Sequence, residues 1–515
     1  MTFWEQLWTT KPTAANAADN ELRPALGPWA LTALGVGAIV GTGIFVLTGV
    51  AAANNAGPAL AVSFVIAGFV CAMAALCYAE FAAMIPVAGS AYSYSYATLG
   101  ELIAWFIGWN LVLEYLVSIS AVAAGWSGYV VSLLKHIGLT IPDAFAKAPL
   151  AKGVGAVSVV ATGDIINLPA IFIVLAITAL CYVGIKHSST VNIWIVIVKL
   201  TVILLFIVFG LHYIVPEHWH PFVPNRICSA AGATGNMCRP GKYGWMGVFE
   251  GAAIIFFAYI GFDAVSTAAQ EAKNPKRDMP ISIIASLVIC TALYIVVSLV
   301  LTGIVRYTRL NVPDPVAFGI EQVPTLRNWL APLIDVGALA GLSSVILVVM
   351  IGQPRIFYVM SRDGLLPPAF GRVHPRFQTP HVATVITGIV AAIGAGLLPI
   401  DILAELTNIG TLLAFLVVCI AVQVLRHTHP ELSRPFRVPY PWITCTIGAI
   451  GCVVLILSLP HSTWWRAVIW TLIGLVIYFG YGFRHSRLRK GKVQLARPAE
   501  RWKAKSTRPN DKTGP

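Results

Sequence analysis

The sequence predicts an all-α integral membrane protein of twelve transmembrane helices. Ten of them form two inverted five-helix halves with broken helices 1 and 6, and two accessory helices follow. Three observations predict this fold. First, apolar residues make up 57% of the chain and charged residues 11%, and a mean hydropathy of +0.78 lies far outside the soluble range. Second, twelve apolar runs are long enough to cross roughly 30 Å of hydrocarbon. Third, two of those runs, five spans apart, are interrupted by glycine at matching positions, the sequence sign of an inverted repeat.

The runs lie near 29–52, 57–85, 101–134, 168–186, 190–215, 245–270, 280–304, 330–358, 381–400, 404–425, 440–459 and 464–483. Residues 1–28 hold Pro12, Pro24 and Pro28 but no apolar core followed by a small-residue cleavage site. No removable signal peptide is therefore expected, and the first span directs insertion. The ten-helix core is expected over 29–426, the accessory helices 11 and 12 over 427–483, and a basic, disordered cytoplasmic tail over 484–515. With the N-terminus in the cytoplasm, 24 of the 35 Lys and Arg fall on that side and ten on the other, while Lys199 lies within a span. This bias puts both termini inside.

The first break lies in GVGAIVGTGIF (Gly35 to Phe45), around Gly41-Thr42-Gly43. The second lies in FFAYIGFD (Phe256 to Asp263), from Phe257 to Gly261. A break at membrane depth leaves N–H and C=O groups without helical partners, which is tolerable only against protein or a polar cavity. Close helix packing explains Gly37 and Gly41 taken alone, but explains the paired arrangement less well. The half-helix restarting after Gly41 offers free N–H groups and a positive dipole end, which suit a carboxylate. Carbonyls freed near Phe257, Ala258 and Ile260 suit an ammonium group. A ligand with both groups on one carbon is an α-amino acid.

Lys199 stands roughly 14 Å into its span when counted from Thr190 at 1.5 Å per residue, too deep for easy snorkelling. An intramembrane charge is costly and marks an ion or proton path. Two readings of Lys199 stand. Either it loses and regains a proton, its charged form bonded to carbonyls of the first break and to the hydroxyls of Ser343 or Ser344, or it is a permanently charged tie between spans. Glu114 in span three and Asp263 past the second break are deep enough to complete a polar path with Lys199 or to serve in structural hydrogen bonds. Glu80, Glu101 and Glu405 sit near span ends and are expected to face headgroup water.

Several other classes are excluded. The net charge of +13 is concentrated in a tail with little aromatic interleaving, directly after a span, so anionic lipid headgroups rather than nucleic acid are its expected partner. All eleven histidines map to loops or span ends, and neither HExxH nor a nucleophile motif occurs, so no enzyme, metal or cofactor is expected. Seven cysteines are isolated in apolar spans. Cys228 and Cys238 share an external loop where a disulfide is permitted.

Three motifs make the chain recognisable: GVGAIVGTGIF, FFAYIGFDAVSTAAQEAKNPKRDMP (Phe256 to Pro280) and GQPRIFYVMSRDGLLP (Gly352 to Pro367). Together and in this order they resemble the amino acid-polyamine-organocation transporter superfamily, closest to bacterial members of its cationic amino acid transporter branch. The resemblance runs through essentially all twelve spans and implies a LeuT-type fold. It also implies a substrate carboxylate held at Ile39, Gly41, Thr42 and Gly43, and an amino group held and gated at Phe257, Ala258 and Ile260. Lys199 matches the span-five lysine that replaces sodium in proton-coupled relatives. The expected activity is proton-coupled uptake of L-amino acids by alternating access in a bacterial inner membrane, with exchange or sodium coupling as alternatives. Val349, expected to line the side-chain pocket, is apolar where relatives carrying cationic substrates have a smaller or more polar residue. Small or medium neutral amino acids are the expected substrates. Nothing in the chain dictates an oligomeric state, and a monomer is compatible with all of these features.

Overall fold

Apolar helices of 10 to 36 residues dominate the structure, a computed structural model that describes residues 7–11, 26–84, 90–153, 159–184, 189–226, 228–230, 236–238, 242–267, 272–377 and 379–489. The helices labelled here are α1 (Pro28–Ile39), α2 (Leu60–Met84), α3 (Ser90–Thr98), α4 (Glu101–His136), α5 (Leu168–Val183), α6 (Ser189–Gly210), α7 (Gly244–Ile255) and α8 (Phe262–Thr267). They continue as α9 (Pro275–Ile304), α10 (Pro315–Glu321), α11 (Leu330–Arg362), α12 (His381–Leu397), α13 (Ile400–Thr428), α14 (Pro441–Ser458) and α15 (His461–Ile477).

Among the described residues, eight helical stretches are long and apolar enough to cross a membrane, and four shorter apolar helices accompany them. The count differs from twelve for a physical reason. Expected spans one and six are each split at their break, and the restarted half of the first runs on into α2 as one stretch, Gly43–Met84. Leu168–Val183 and His381–Leu397 have only 16 and 17 residues, about 25 Å of helix, short of the hydrocarbon thickness.

Local chemistry sets the helix ends. The side chain of Asn167 accepts the N–H of Ala170 at 3.2 Å and so caps α5, which closes on Gly184 in left-handed conformation (φ +74°). Proline at the first helical position starts α1, α9, α10 and α14. The outward faces are apolar: Trp442, Ile450, Leu457 and Val476 of α14 and α15 are more than half exposed. In water that surface would be a liability; against lipid it is matched.

Each helix also has a packed face, with α11 and α13 against α4, and α9 against α2. Small residues bring these helices together. A Cβ on Gly337 would sit 2.5 Å from Val202 of α6, and one on Gly388 2.2 Å from Thr178 of α5. The seven intramembrane cysteines are unbridged, yet Cys77 and Cys445 lie 3.5 Å apart, so isolation in sequence is not isolation in space.

The carboxylates expected to face headgroup water do not. Glu80, Glu101 and Glu405 are at most 2% exposed, and each has a basic partner. Glu80 meets Arg426 and Arg434. Glu101 accepts from Ser486, from Tyr96 and, at 2.9 Å, from Arg489. Glu405 meets Thr463 at 2.7 Å and Arg466 at 3.6 Å. Proximity to a span end misled because the cations come from distant parts of the chain.

Both ends of the described chain dock on one face. Lys11 pairs with Asp363 at 2.7 Å, and the N–H of Arg487 donates to the Asp363 carbonyl at 3.0 Å. Residues 490–515 of the expected tail lie outside the described residues. On the opposite side, β1 (Leu150–Lys152) pairs with β2 (Val159–Ala161), and β3 (Cys228–Ala230) pairs with β4 (Asn236–Cys238). The register places Cys228 opposite Cys238, while their side chains lie outside what is described.

Candidate substrate and coupling site

Helix α1 stops at Ile39, because Val40 takes an extended conformation (φ −75°, ψ 98°). The chain becomes helical again at Thr42 and continues through a wide turn, Gly43–Leu47. The break thus falls at Val40–Gly41, at the leading edge of the expected Gly41–Gly43. The restarted helix opens with N–H groups that have no intrahelical acceptor. Thr42 is 1% exposed, and its hydroxyl has no hydrogen-bond partner among the described residues.

The second break mirrors this. Helix α7 tightens into a narrow turn at Phe256–Tyr259, Ile260 is extended (φ −61°, ψ 134°), and Gly261 takes φ +118° before α8 begins. An L side chain is strained at that angle. The end of α7 is stabilised from outside, since the Asn408 side-chain amide donates to the carbonyls of Ala253 and Ile254, both at 2.8 Å.

The two breaks touch. A Cβ added to Gly43 would lie 2.2 Å from Ala258 Cα, and one on Gly261 would lie 2.8 Å from the carbonyl carbon of Ala38. Only glycine permits both approaches. Phe257, Ala258 and Ile260 are all at most 7% exposed and line this junction. On the α11 side, Val345 comes closest to Gly41, where a Cβ would lie 2.9 Å from its side chain. Val349, expected in the pocket, is buried one turn further on.

Lys199 is fully buried, and its ammonium donates to the carbonyls of Gly37 and, at 2.9 Å, of Val40. These are the C-terminal carbonyls of α1, the negative end of its dipole, so the cation and the break satisfy each other. The expected bonds to Ser343 and Ser344 are not formed. Ser343 accepts from the Trp126 indole at 3.0 Å, and Ser344 donates to the Gly341 carbonyl at 2.7 Å. Two carbonyls of one broken helix take two of the three ammonium donors, and both serine hydroxyls are engaged elsewhere.

Asp263 and Glu114 form a separate centre. Asp263 accepts from Tyr115 at 2.8 Å and from the Gly261 N–H at 3.2 Å, holding the second break in shape. Glu114 is fully buried, and neither carboxyl oxygen has a hydrogen-bond partner among the described residues. No ion pair joins either acid to Lys199 among the described residues.

Sequence reasoning missed Tyr294. Its hydroxyl, fully buried, lies 2.8 Å from both the Ile39 and the Ala258 carbonyls, one from each break. A phenol has one proton, so it donates to one of them at a time. A tyrosine in an apolar helix leaves no pattern by itself; the usable signal was the single tyrosine of the span next to the second break. Tyr129 was missed for the same reason, and its hydroxyl donates to the Phe45 carbonyl at 2.6 Å in the wide turn.

Paired helix breaks around buried polar groups, in a multi-pass membrane protein, are the features of a small-molecule carrier. The comparisons agree: a family model described as amino acid permease matches residues 26–478, and the chain belongs to that family, within the amino acid-polyamine-organocation superfamily. A methylthioribose transporter of Bacillus subtilis is 48% identical over 477 residues, covering 93% of this chain and 97% of the relative. The branched-chain amino acid permease BcaP of the same organism is 46% identical over 478 residues, with the same shares covered. A vacuolar cationic amino acid transporter 4 of Arabidopsis thaliana is 38% identical over 419 residues, 81% of this chain and 65% of that protein. The protein is therefore an amino acid permease, a transporter and not an enzyme.

Proposed function

We propose that this permease takes up neutral, apolar L-amino acids together with protons, by alternating access at the junction of the two breaks. The observation that carries the reading is the bonding of Lys199 to Gly37 and Val40. A cation whose acceptors are the very carbonyls freed by the break senses any change in that break. When the carboxylate of a substrate takes the N–H groups at Gly41 to Gly43, the end of α1 shifts, and the acceptors of Lys199 shift with it. Proton release and rebinding at Lys199 would then accompany the rocking of the broken helices.

The finer architecture belongs to the same proposal. The broken pieces and short helices are counted as twelve crossings, the first ten as two inverted halves, with α14 and α15 accessory. Both termini face the cytoplasm of a bacterial inner membrane, and the basic tail meets anionic lipid. Buried apolar side chains at Val345 and Val349 and the branched-chain permease among the relatives support this substrate class. The similarity to a methylthioribose transporter favours a second ligand, an uncharged thioether sugar, on the same walls.

The test is uptake by purified protein in liposomes, using labelled leucine, alanine, arginine and methylthioribose with and without an imposed pH gradient. Leucine or alanine accumulation driven by the gradient supports the reading. Accumulation driven by sodium at fixed pH, or methylthioribose as the sole substrate, overturns it.

A further inference from the structure

The face opposite both termini carries a further titratable centre. His136 is the last residue of α4, whose first residue, Glu101, is bonded at the termini face by Ser486 and Arg489. The two ends are separated by roughly 50 Å of helix at 1.5 Å per residue. The imidazole lies between two acids from different elements: Nε2 is 3.2 Å from Glu321 Oε1 at the end of α10, and Nδ1 is 3.1 Å from Asp335 Oδ2 in α11.

Helix α10 lies over the restarted half of the first span. A Cβ on Gly49 would meet Pro315 at 2.3 Å, and one on Gly128 of α4 would meet Pro313 at 2.5 Å. Residues 313–321 are thus seated on two glycines with Val316, Ala317 and Ile320 buried, and among the described ion pairs His136 alone meets the far end of the helix. Beneath it, Tyr129 holds the wide turn of the first span.

The surrounding charges are mostly acidic. Asp335 has a fully buried side chain and accepts from Ser132 at 3.1 Å, and its Oδ1 has no partner among the described residues. Asp314, just before α10, has its carboxyl pushed up by burial, with Glu321 adding to the effect and Lys135 opposing it. Asp143, on the short helix beyond α4, faces Lys147 instead.

Carboxylates only accept hydrogen bonds, and a neutral imidazole has a single N–H. His136 can donate to Glu321 and Asp335 together only when both ring nitrogens carry protons. With both acids ionised, an uncharged ring turns a lone pair toward one carboxylate; only a proton carried by Asp335 itself would let that acid donate to the ring instead. We propose that His136 is a proton-operated latch on the face opposite the termini: protonation pins α10 over the outer half of the first span, and proton loss frees it. Given the orientation proposed above, external acid would favour closure on the outside.

Hydrogen exchange read by mass spectrometry on residues 313–323 of the intact protein tests the latch without relying on uptake. After correction for intrinsic exchange, protection should be about threefold or more lower at about pH 8 than at about pH 5.5. His136→Arg, cationic throughout, should keep protection high at both pH values; His136→Gln should keep it low at both. Glu321→Gln, at a more exposed position, should reduce the dependence with the fold preserved. A flat wild-type profile, or an unchanged slope in His136→Gln, overturns the proposal. If the slope stands while no amino acid is taken up, the latch survives and the transport reading fails.

Discussion

Lys199 and Glu114 are both fully buried and ionisable, yet they are treated in opposite ways. The lysine is bonded to two carbonyls of the first break, whereas neither oxygen of Glu114 has a hydrogen-bond partner among the described residues. A buried charge is costly unless its donors are satisfied, and helix-end carbonyls satisfy an ammonium well. The difference shows that a break is itself a ligand: its loose carbonyls stabilise a cation, whereas a carboxyl on the unbroken helix α4 has no loose N–H to meet. Lys199 is thereby tied to the broken backbone, and Glu114 is not.

The largest effect that would break this comparison comes from Lys199→Ala. Gradient-driven uptake should fall to background, while substrate binding measured by thermal shift survives; full uptake by the variant would remove Lys199 from the coupling. Next is Gly43→Ala. Its methyl would lie 2.2 Å from Ala258 Cα, so binding should be lost and stability reduced by about 1–3 kcal/mol, and an unchanged melting temperature and affinity would show that the breaks do not need to touch.

Smaller effects sharpen the comparison. Glu114→Gln keeps the shape and removes the titration, so stability should change by less than about 1 kcal/mol, because no hydrogen bond is broken. A loss of several kcal/mol would reveal a hidden partner. Tyr294→Phe removes the hydroxyl shared by Ile39 and Ala258, and affinity should fall by about a factor of two to ten, about 0.5–1.5 kcal/mol; isothermal titration reads it directly. Smallest of all, Val349→Ser should shift the preference toward cationic substrates by a few-fold, and unaltered selectivity would move the pocket wall to Val345.

Much of this architecture was legible in the chain. Apolar run length marks helices whose outward faces need no pattern beyond hydrophobicity, and glycine marks the only places where the backbone of one break can approach the other. Lys199 was legible because charge is rare at that depth. Its partners were half legible: the carbonyls follow from the break, but the hydroxyls of Ser343 and Ser344 are engaged with Trp126 and Gly341 instead. Glu80, Glu101 and Glu405 were misread because their basic partners come from residues 426–489, a distance no local pattern crosses. Tyr294 was passed over because α9 carries several hydroxyls, among them Ser286, Thr291 and Ser298, and only the positions of two carbonyls single it out.

The most direct measurement is proton movement during amino acid uptake, followed with a pH-sensitive dye inside liposomes holding the wild-type protein or Lys199→Ala. Substrate added outside should acidify the lumen of wild-type vesicles and leave that of the variant unchanged. Uptake with no acidification, or equal acidification in both, would contradict the role assigned to the lysine at the first break.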